Sequence, residues 1–377
     1  MSKCRQRILA AVAVAMFLVC VSWSAPGEPK TLGIGDKAPD FNLPGVDGKE
    51  HKLAEYDRAK LLVIVFTCNH CPTAQAYEER IKKLAGNFRD KGVALVAISP
   101  NDPKAVRLDE LGYTDVSDSL EEMKIRAKER SFNFPYLYDG DKQEVSRAYG
   151  PVATPHVFVF DAERKLRYAG RVDDNERDPN AVKSHDARNA IEAVLAGKPA
   201  PVETTRTFGC SIKWSDKRDS AKQSFEKWAK EPVTLNAIDL EGVRKLVKND
   251  GKKLRLINVW ATWCGPCARE FPDLVEINRM YRHREFEIVS ISADSGPNAK
   301  DRVQSFVEKN QASFTNYLFS GTDTYALIDA VDPKWAGPIP YTLIVKPGGE
   351  VLYRHLGAIE PLEVKKAIVG YLGRYYK

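Results

Sequence analysis

Two apolar runs in the chain, residues 61–67 and 256–260, predict strands that are buried on both faces. Both are rich in Val, Ile and aromatic residues and are too short for an ordinary helix. Each run leads into two cysteines separated by two residues, and apolar side chains at helical spacing follow. The chain therefore contains the same unit twice, a buried strand, a CxxC pair and a helix.

The second cysteine pair, Cys264 and Cys267, predicts a redox site. Gly265-Pro266 ends the strand, and proline fits the first turn of a helix because its missing N–H would be unpaired there anyway. Unpaired N–H groups and the helix dipole stabilise a thiolate on Cys264, which we expect to be exposed. The string WCGPC in this setting resembles the thioredoxin family. The repetition of the strand, CxxC and helix unit predicts an α/β chain of two tandem thioredoxin-like domains, each with a central mixed β-sheet flanked by helices.

The first pair, Cys68 and Cys71, encloses His70 near the predicted start of its helix. A charged imidazole there favours the Cys68 thiolate and makes the pair more oxidising. The alternative is a solvent-facing histidine with little effect on either sulfur.

The first half of the chain resembles a redoxin or peroxiredoxin-like (AhpC/TSA-type) subfamily. The resemblance covers about residues 33–214 and is carried by the strings CNHCP, NFPYLYD, TPHVFVFD, GRVDDN and FGCSIKW. Peroxidases of the peroxiredoxin type usually place threonine three residues before the reactive cysteine. Here Thr67 adjoins Cys68 and lies four residues before Cys71. This departure favours disulfide exchange by Cys68 and Cys71 over peroxide reduction.

The second half, residues 234–377, resembles the extracytoplasmic TlpA/ResA-type thiol-disulfide oxidoreductases. That resemblance implies that Cys264 is the attacking nucleophile and Cys267 the resolving thiol. Trp263 is expected to pack beside the sulfurs, or simply in the core. Glu270 and Asp294 are candidates for assisting proton transfer from Cys267, with solvated surface carboxylates as the alternative.

Both resemblances imply a cis-proline beside each cysteine pair. The matching bonds are Thr154-Pro155 in the first half and Ile339-Pro340 in the second. A cis X-Pro turn leaves the backbone of the preceding residue free to pair with a substrate strand, so these four residues are the expected substrate-binding positions.

Cys210, in the FGCSIKW string, has no partner in a CxxC motif. One interpretation is that it resolves a mixed disulfide or a sulfenate on Cys68 or Cys71. The other is a buried, inert thiol, since free cysteines are often buried. The sequence leaves both open.

The N-terminus predicts a secretory signal over residues 1–24, from a basic start, an apolar stretch and small residues before the cleavage site. An uncleaved anchor is the alternative, although the apolar stretch is shorter than the roughly 20 residues that span a bilayer. We expect a first domain at 32–200, a linker at 201–233 and a second domain at 234–377. The mature protein is expected to be extracytoplasmic, periplasmic or secreted, without a transmembrane segment.

Composition excludes some classes of function. The formal net charge is only +6, and no basic run with interleaved aromatic residues suggests nucleic-acid binding. A zinc site is disfavoured because each CxxC has its own strand–helix context. Purely structural disulfides are disfavoured because such small loops constrain the unfolded chain little. No metal or organic cofactor is expected beyond redox-active disulfides.

The sequence therefore predicts an exported thiol-disulfide oxidoreductase. Its expected partners are protein disulfides or dithiols, or a membrane thiol-disulfide reductant. One alternative is a peroxiredoxin-like peroxidase fused to its own thioredoxin-type reductant. Another is a non-catalytic module that binds partners during envelope protein maturation.

Overall fold

The computed structural model describes residues 29–376, and they form two sheet-bearing α/β domains. The expected signal at residues 1–24 lies outside the described residues. No helix among residues 29–376 is long and apolar enough to cross a membrane.

The first domain is built on a five-stranded mixed sheet in the order β5-β4-β3-β6-β7, in which β3, β4 and β5 are parallel. Strands β6 and β7 are antiparallel to their neighbours, and β1 pairs with β2 in a separate ribbon. The strands are β1 (Asn42–Pro44), β2 (Glu50–Lys52), β3 (Leu61–Phe66), β4 (Val93–Ser99), β5 (Tyr136–Tyr138), β6 (His156–Phe160) and β7 (Leu166–Gly170). The helices are α1 (Pro72–Arg89), α2 (Leu120–Glu129), α3 (Glu144–Tyr149) and α4 (Asp186–Leu195).

The second domain is built on a six-stranded sheet in the order β13-β12-β9-β10-β11-β8. Helix α5 (Arg218–Trp228) precedes it. The strands are β8 (Leu235–Ile238), β9 (Leu254–Trp260), β10 (Phe286–Ser292), β11 (Thr315–Phe319), β12 (Tyr341–Val345) and β13 (Val351–Leu356). The helices are α6 (Leu240–Lys248), α7 (Gly265–Tyr281), α8 (Ala299–Lys309), α9 (Thr324–Val331) and α10 (Pro361–Leu372).

The two central strands, β3 and β9, explain the apolar runs. Neighbouring residues point to opposite faces, so Val63 and Ile64 enter different hydrophobic cores, as do Leu256 and Ile257. A strand that is covered on both faces has no solvent side for polar residues. The predicted fold class, two tandem thioredoxin-like domains, is confirmed.

The second domain begins with an edge strand, Leu235–Ile238, which is paired in parallel with β11. Asp239 then caps α6, because its carboxylate accepts a hydrogen bond from the Gly242 N–H at 2.8 Å.

The two domains are packed together through a loop of the first domain, residues 103–118. Leu111 of this loop is buried in the same hydrophobic core as Met280 and Tyr281 of α7. The Tyr281 hydroxyl donates a hydrogen bond to the Thr114 carbonyl oxygen at 2.6 Å. The loop therefore fixes one domain against the other.

Candidate active site

In the second domain, Cys264 stands at the N-cap of α7 and is disulfide-bonded to Cys267. The Cys267 backbone N–H donates a hydrogen bond to the Cys264 sulfur at 3.2 Å. Cys264 is 6% exposed and Cys267 is fully buried, so the pair is less open than the sequence predicted. Cys264 is nevertheless the member that a substrate reaches first.

The Ile339-Pro340 bond beside this pair is cis, and the Ile339 carbonyl oxygen lies 3.7 Å from the Cys264 sulfur. Trp263, the residue before Cys264, is 70% exposed. The alternative of Trp263 as a core residue is therefore wrong. Its indole instead forms an exposed apolar surface next to the disulfide.

Glu270 and Asp294, the two carboxylates suggested by sequence, are both buried. Glu270 accepts hydrogen bonds at 2.8 Å from the Asn258 side-chain amide and the Ile359 backbone N–H. Burial raises the pKa of Glu270, although these hydrogen bonds oppose the shift. The Asp294 carboxylate accepts a hydrogen bond from the Thr262 backbone N–H at 2.8 Å. The alternative of two solvated surface carboxylates is therefore wrong.

In the first domain, the helix-capping cysteine is Cys71, and α1 begins at Pro72. The Cys71 sulfur accepts hydrogen bonds from the backbone N–H groups of Ala74 at 3.4 Å and of Cys210 at 3.3 Å. It also lies 3.4 Å from the carbonyl oxygen of Thr154, the residue that begins the cis Thr154-Pro155 bond.

The strand registers show which cysteines of the two domains correspond. Phe66 of β3 pairs with His156, and Val259 of β9 pairs with Tyr341. His156 and Tyr341 each follow the cis-proline of their own domain, so Phe66 and Val259 are equivalent positions. Counting five residues onward from each reaches Cys71 and Cys264.

The two CxxC motifs are therefore offset by one turn of helix. The partner of Cys264, Cys267, lies inside its helix, whereas Cys68 precedes α1 and Ala74 occupies the position equivalent to Cys267. Cys68 therefore does not occupy the position of Cys264, although the repeated unit predicts the same arrangement in both domains. The signal was the proline that directly follows Cys71, since proline favours the first helical position.

The pKa values of the two cysteines in the first domain are shifted in opposite directions. Burial raises the pKa of the Cys68 thiol well above its usual range. Burial also disfavours the Cys71 thiolate, but hydrogen bonds with Cys210 and Cys68 and the charge of His70 outweigh it and hold the pKa of Cys71 well below its usual range. These contacts favour the thiolate on Cys71 rather than on Cys68.

His70 is buried rather than solvent-facing. Its Nδ1 atom lies 2.5 Å from Asp118 Oδ2, and the same oxygen accepts a hydrogen bond from the Asn101 side-chain amide at 2.8 Å. Burial disfavours the imidazolium, but the Asp118 carboxylate outweighs it and raises the pKa of His70. Sequence analysis missed Asp118 and Asn101, which no local motif connects to the cysteines.

Within residues 29–376, one group of side chains has metal-ligand character. Cys68, His70 and Asp118 present ligand atoms that all lie within 4.8 Å of one another. The His70 ring and the Asp118 carboxylate are already hydrogen-bonded to each other, so a cation would have to compete with this bond.

Two thioredoxin-like domains, each with a cysteine N-cap facing the residue before a cis-proline, define a protein of thiol redox chemistry. The AhpC/TSA family model matches residues 34–169 and 207–354, which together exceed half of the chain. The chain therefore belongs to the AhpC/TSA family, and within it combines a redoxin-like domain with a TlpA-like one.

Among curated relatives, a thiol-disulfide oxidoreductase ResA of Bacillus cereus is 29% identical over 146 residues, which are 38% of this chain and 75% of ResA. ResA of Halalkalibacterium halodurans is 27% identical over 140 residues, 37% of this chain and 74% of that protein. These similarities support an oxidoreductase activity for the chain.

Among solved structures, a hypothetical protein from Sinorhizobium meliloti 1021 is 36% identical, with a TM-score of 0.44. The match covers 50% of this chain and 97% of that one. An uncharacterized conserved protein from Geobacillus kaustophilus is 37% identical, with a TM-score of 0.44, and the match covers 51% of this chain and 98% of that one.

Proposed function

We propose that the chain is an exported thiol-disulfide oxidoreductase whose main redox centre is the Cys264–Cys267 pair. One observation carries this proposal: the Cys264 sulfur caps a helix, beside both the Ile339 carbonyl oxygen and the exposed Trp263. The substrates would be protein disulfides or dithiols, with a membrane thiol-disulfide reductant as a further partner.

In the proposed mechanism, the reduced pair transfers two electrons by thiol-disulfide exchange. The Cys267 N–H and the helix dipole stabilise the Cys264 thiolate, which attacks a substrate disulfide and releases one substrate thiolate. Cys267 then loses its proton and attacks the Cys264 sulfur, which releases the second substrate sulfur and forms the Cys264–Cys267 disulfide. Two sulfur atoms carry both electrons, so this sequence of steps requires no metal or organic cofactor.

The binding surface for such a substrate would consist of Trp263 and the backbone of Ile339. The backbone of Ile339 is suited to pair with an extended substrate segment, as in recognition by strand addition. Trp263 would supply apolar contact area at low entropic cost. The buried carboxylate of Glu270, one helical turn from Cys267, would be the acceptor for the proton of the resolving thiol.

Insulin-disulfide reduction by the mature protein tests this proposal. We expect Cys264→Ser to abolish turnover, and Cys68→Ser to serve as the matched control that retains it. Turnover that survives in Cys264→Ser and is lost in Cys71→Ser would transfer the function to the first domain.

Peroxide reduction at Cys71 is a second candidate function. Two observations support it. The Cys71 sulfur accepts hydrogen bonds from two backbone N–H groups, and the pKa of the Cys71 thiol is lowered. Hydrogen-peroxide consumption that requires Cys71 and is sustained by Cys264 would establish a fused peroxidase and reductant. A protein that reduces neither insulin nor peroxide would instead support the non-catalytic binding role.

The proposal that the protein is exported rests on the sequence of residues 1–24. N-terminal sequencing of the protein recovered from the periplasm or medium tests it. Recovery of an intact N-terminus in the cytoplasm would contradict export.

A further inference from the structure

The substrate-binding edge of the first domain is occupied by the chain itself. Thr154 and Cys210 form an antiparallel bridge, in which the Thr154 N–H donates a hydrogen bond to the Cys210 carbonyl oxygen at 3.0 Å. The Cys210 N–H in turn donates to the Cys71 sulfur at 3.3 Å. In the second domain, no segment within residues 29–376 forms such a bridge with Ile339.

The close approach of this segment depends on Gly209. Its φ angle is +135°, a conformation that L side chains rarely adopt. A Cβ atom at this position would also lie only 1.9 Å from the Thr154 carbonyl oxygen. Glycine therefore allows the segment to lie directly against the edge beside Cys71.

Lys213 anchors the same segment a few residues further on. Its carbonyl oxygen accepts a hydrogen bond from the Asp102 N–H at 2.9 Å, and its own N–H donates to the Asn101 side chain at 2.9 Å. The Lys213 ammonium group lies 2.6 Å from Glu110 Oε1. These contacts hold the segment in place on the side of Cys210 opposite to Gly209.

Cys71 needs a resolving partner other than a helical cysteine, because Ala74 occupies the position of Cys267. The two nearby thiols are Cys68 and Cys210. Cys68 is 3% exposed, and its sulfur already hydrogen-bonds with the Thr154 hydroxyl at 3.2 Å. Cys210 is only partly buried, and it stands on a strand aligned as a bound substrate would be.

We propose that residues 208–214 act as an internal substrate strand and that Cys210 is the disulfide partner of Cys71. Cys71 is fully buried beneath this segment, so the partly exposed Cys210 thiol attacks the external disulfide, which forms a mixed disulfide and releases one substrate thiol that takes the Cys210 proton. The Cys71 thiolate then attacks the Cys210 sulfur, which releases the second substrate sulfur as a thiolate and forms the Cys71–Cys210 bond. The dithiol is oxidised by two electrons, and the external disulfide is reduced to two thiols. This proposal shares disulfide exchange with the proposed function but does not depend on Cys264.

Peptide mapping of the full chain tests the pairing. Reduced protein would be treated with oxidised glutathione, quenched with acid and alkylated, and its disulfides identified by mass spectrometry. We expect a Cys71–Cys210 linkage in the wild type and in Cys68→Ser. In Cys71→Ser, we expect the mixed disulfide of Cys210 with glutathione to accumulate. A Cys68–Cys71 linkage that forms at the wild-type rate in Cys210→Ser would overturn the proposal, and so would a Cys210 that never reacts.

A second pair of variants tests the strand itself without removing a thiol. We expect Gly209→Ala to slow formation of the Cys71–Cys210 linkage by about tenfold or more, because small misplacements of reacting groups are costly. The control is Ser211→Ala, an exposed position in the same segment, which should match the wild type. Equal rates in the two variants would refute the role of the strand. Insulin reduction measured in parallel reports on Cys264 separately, so failure of one proposal is distinguishable from failure of the other.

Discussion

Arg374, near the C-terminus of the second domain, forms a bidentate ion pair with Asp115 of the first. Its Nη1 and Nη2 atoms lie 2.6 Å and 2.7 Å from the two carboxylate oxygens. The Asp115 side chain is fully buried, and burial alone would raise its pKa. The Arg374 guanidinium outweighs burial and holds the pKa of Asp115 below its usual value.

We expect Arg374→Ala to destabilise the protein by about 1–3 kcal/mol, because it leaves a buried carboxylate without its main partner. Arg126, 3.7 Å from Asp115, would compensate only in part. Chemical denaturation measures the free energy of unfolding, and Arg177→Ala, at an exposed arginine, is the matched control. Equal stability of the two variants would contradict the role of this ion pair.

The offset between the two CxxC motifs makes a second prediction. Introducing a thiol by Ala74→Cys, in a chain that also carries Cys68→Ser and Cys210→Ser, should recreate the arrangement of the second domain. We expect oxidised glutathione to produce a disulfide between Cys71 and the introduced thiol, detected as a linked peptide. The same background with Ala76→Cys, on another face of α1, should yield no such link. A link in both proteins would show that proximity on the helix does not decide the pairing.

Trp263→Ala should weaken substrate capture rather than chemistry. An exposed aromatic side chain at the centre of a binding surface typically contributes about 1–3 kcal/mol, so we expect kcat/KM for insulin to fall by about tenfold, mainly through KM. Tyr325→Ala is the control, because Tyr325 on α9 is also an exposed aromatic residue, at 86%. A fall in kcat with unchanged KM would contradict a binding role for Trp263.

His156 makes folding stability depend on pH. Burial lowers its pKa from 6.5 to about 4, so the unfolded chain binds a proton at this residue between these values and the folded chain does not. The stability of the folded protein should therefore fall as the pH drops from 6.5 to about 4, by up to about 3 kcal/mol from this group. His156→Gln retains an acceptor for the Val152 N–H and should lessen that loss.

The measurement is the free energy of unfolding at pH 7.5 and pH 5, compared between the wild type and His156→Gln; these pH values lie on either side of 6.5, the pKa of histidine in the unfolded chain. His283→Gln, at an exposed histidine, provides the control. An identical pH dependence in all three proteins would show that His156 does not contribute to acid sensitivity.

Sequence reasoning located the elements of the fold better than it located the first site. The central strands could be predicted because a strand covered on both faces is apolar throughout, and both cis X-Pro bonds were implied by the family resemblances. The offset between the two CxxC motifs could not be seen from the spacing of their cysteines, because Cys68 and Cys71 are as far apart in the sequence as Cys264 and Cys267. It depends on which residue caps the helix.

Contacts between residues far apart in the sequence could not be predicted either. Asp118 lies 48 positions from His70, and Cys210 lies 139 positions from Cys71, so no local pattern joins either pair. The contact with Asp118 holds His70 in its buried position, and the contact with Cys210 forms part of the surroundings of the Cys71 sulfur. Only the folded arrangement brings them together.

The pairing of Cys210 with Thr154 has a practical consequence for anyone who divides this protein into fragments. Residue 200, the predicted end of the first domain, lies before a stretch whose Thr204 and Cys210 form β-bridges with the first domain. A fragment cut at residue 200 would lose one of three neighbouring thiols and uncover the backbone of Thr154. Its chemistry would then resemble that of an open receptor for foreign peptides, whereas a fragment extended through residue 214 would preserve the native surroundings of Cys71.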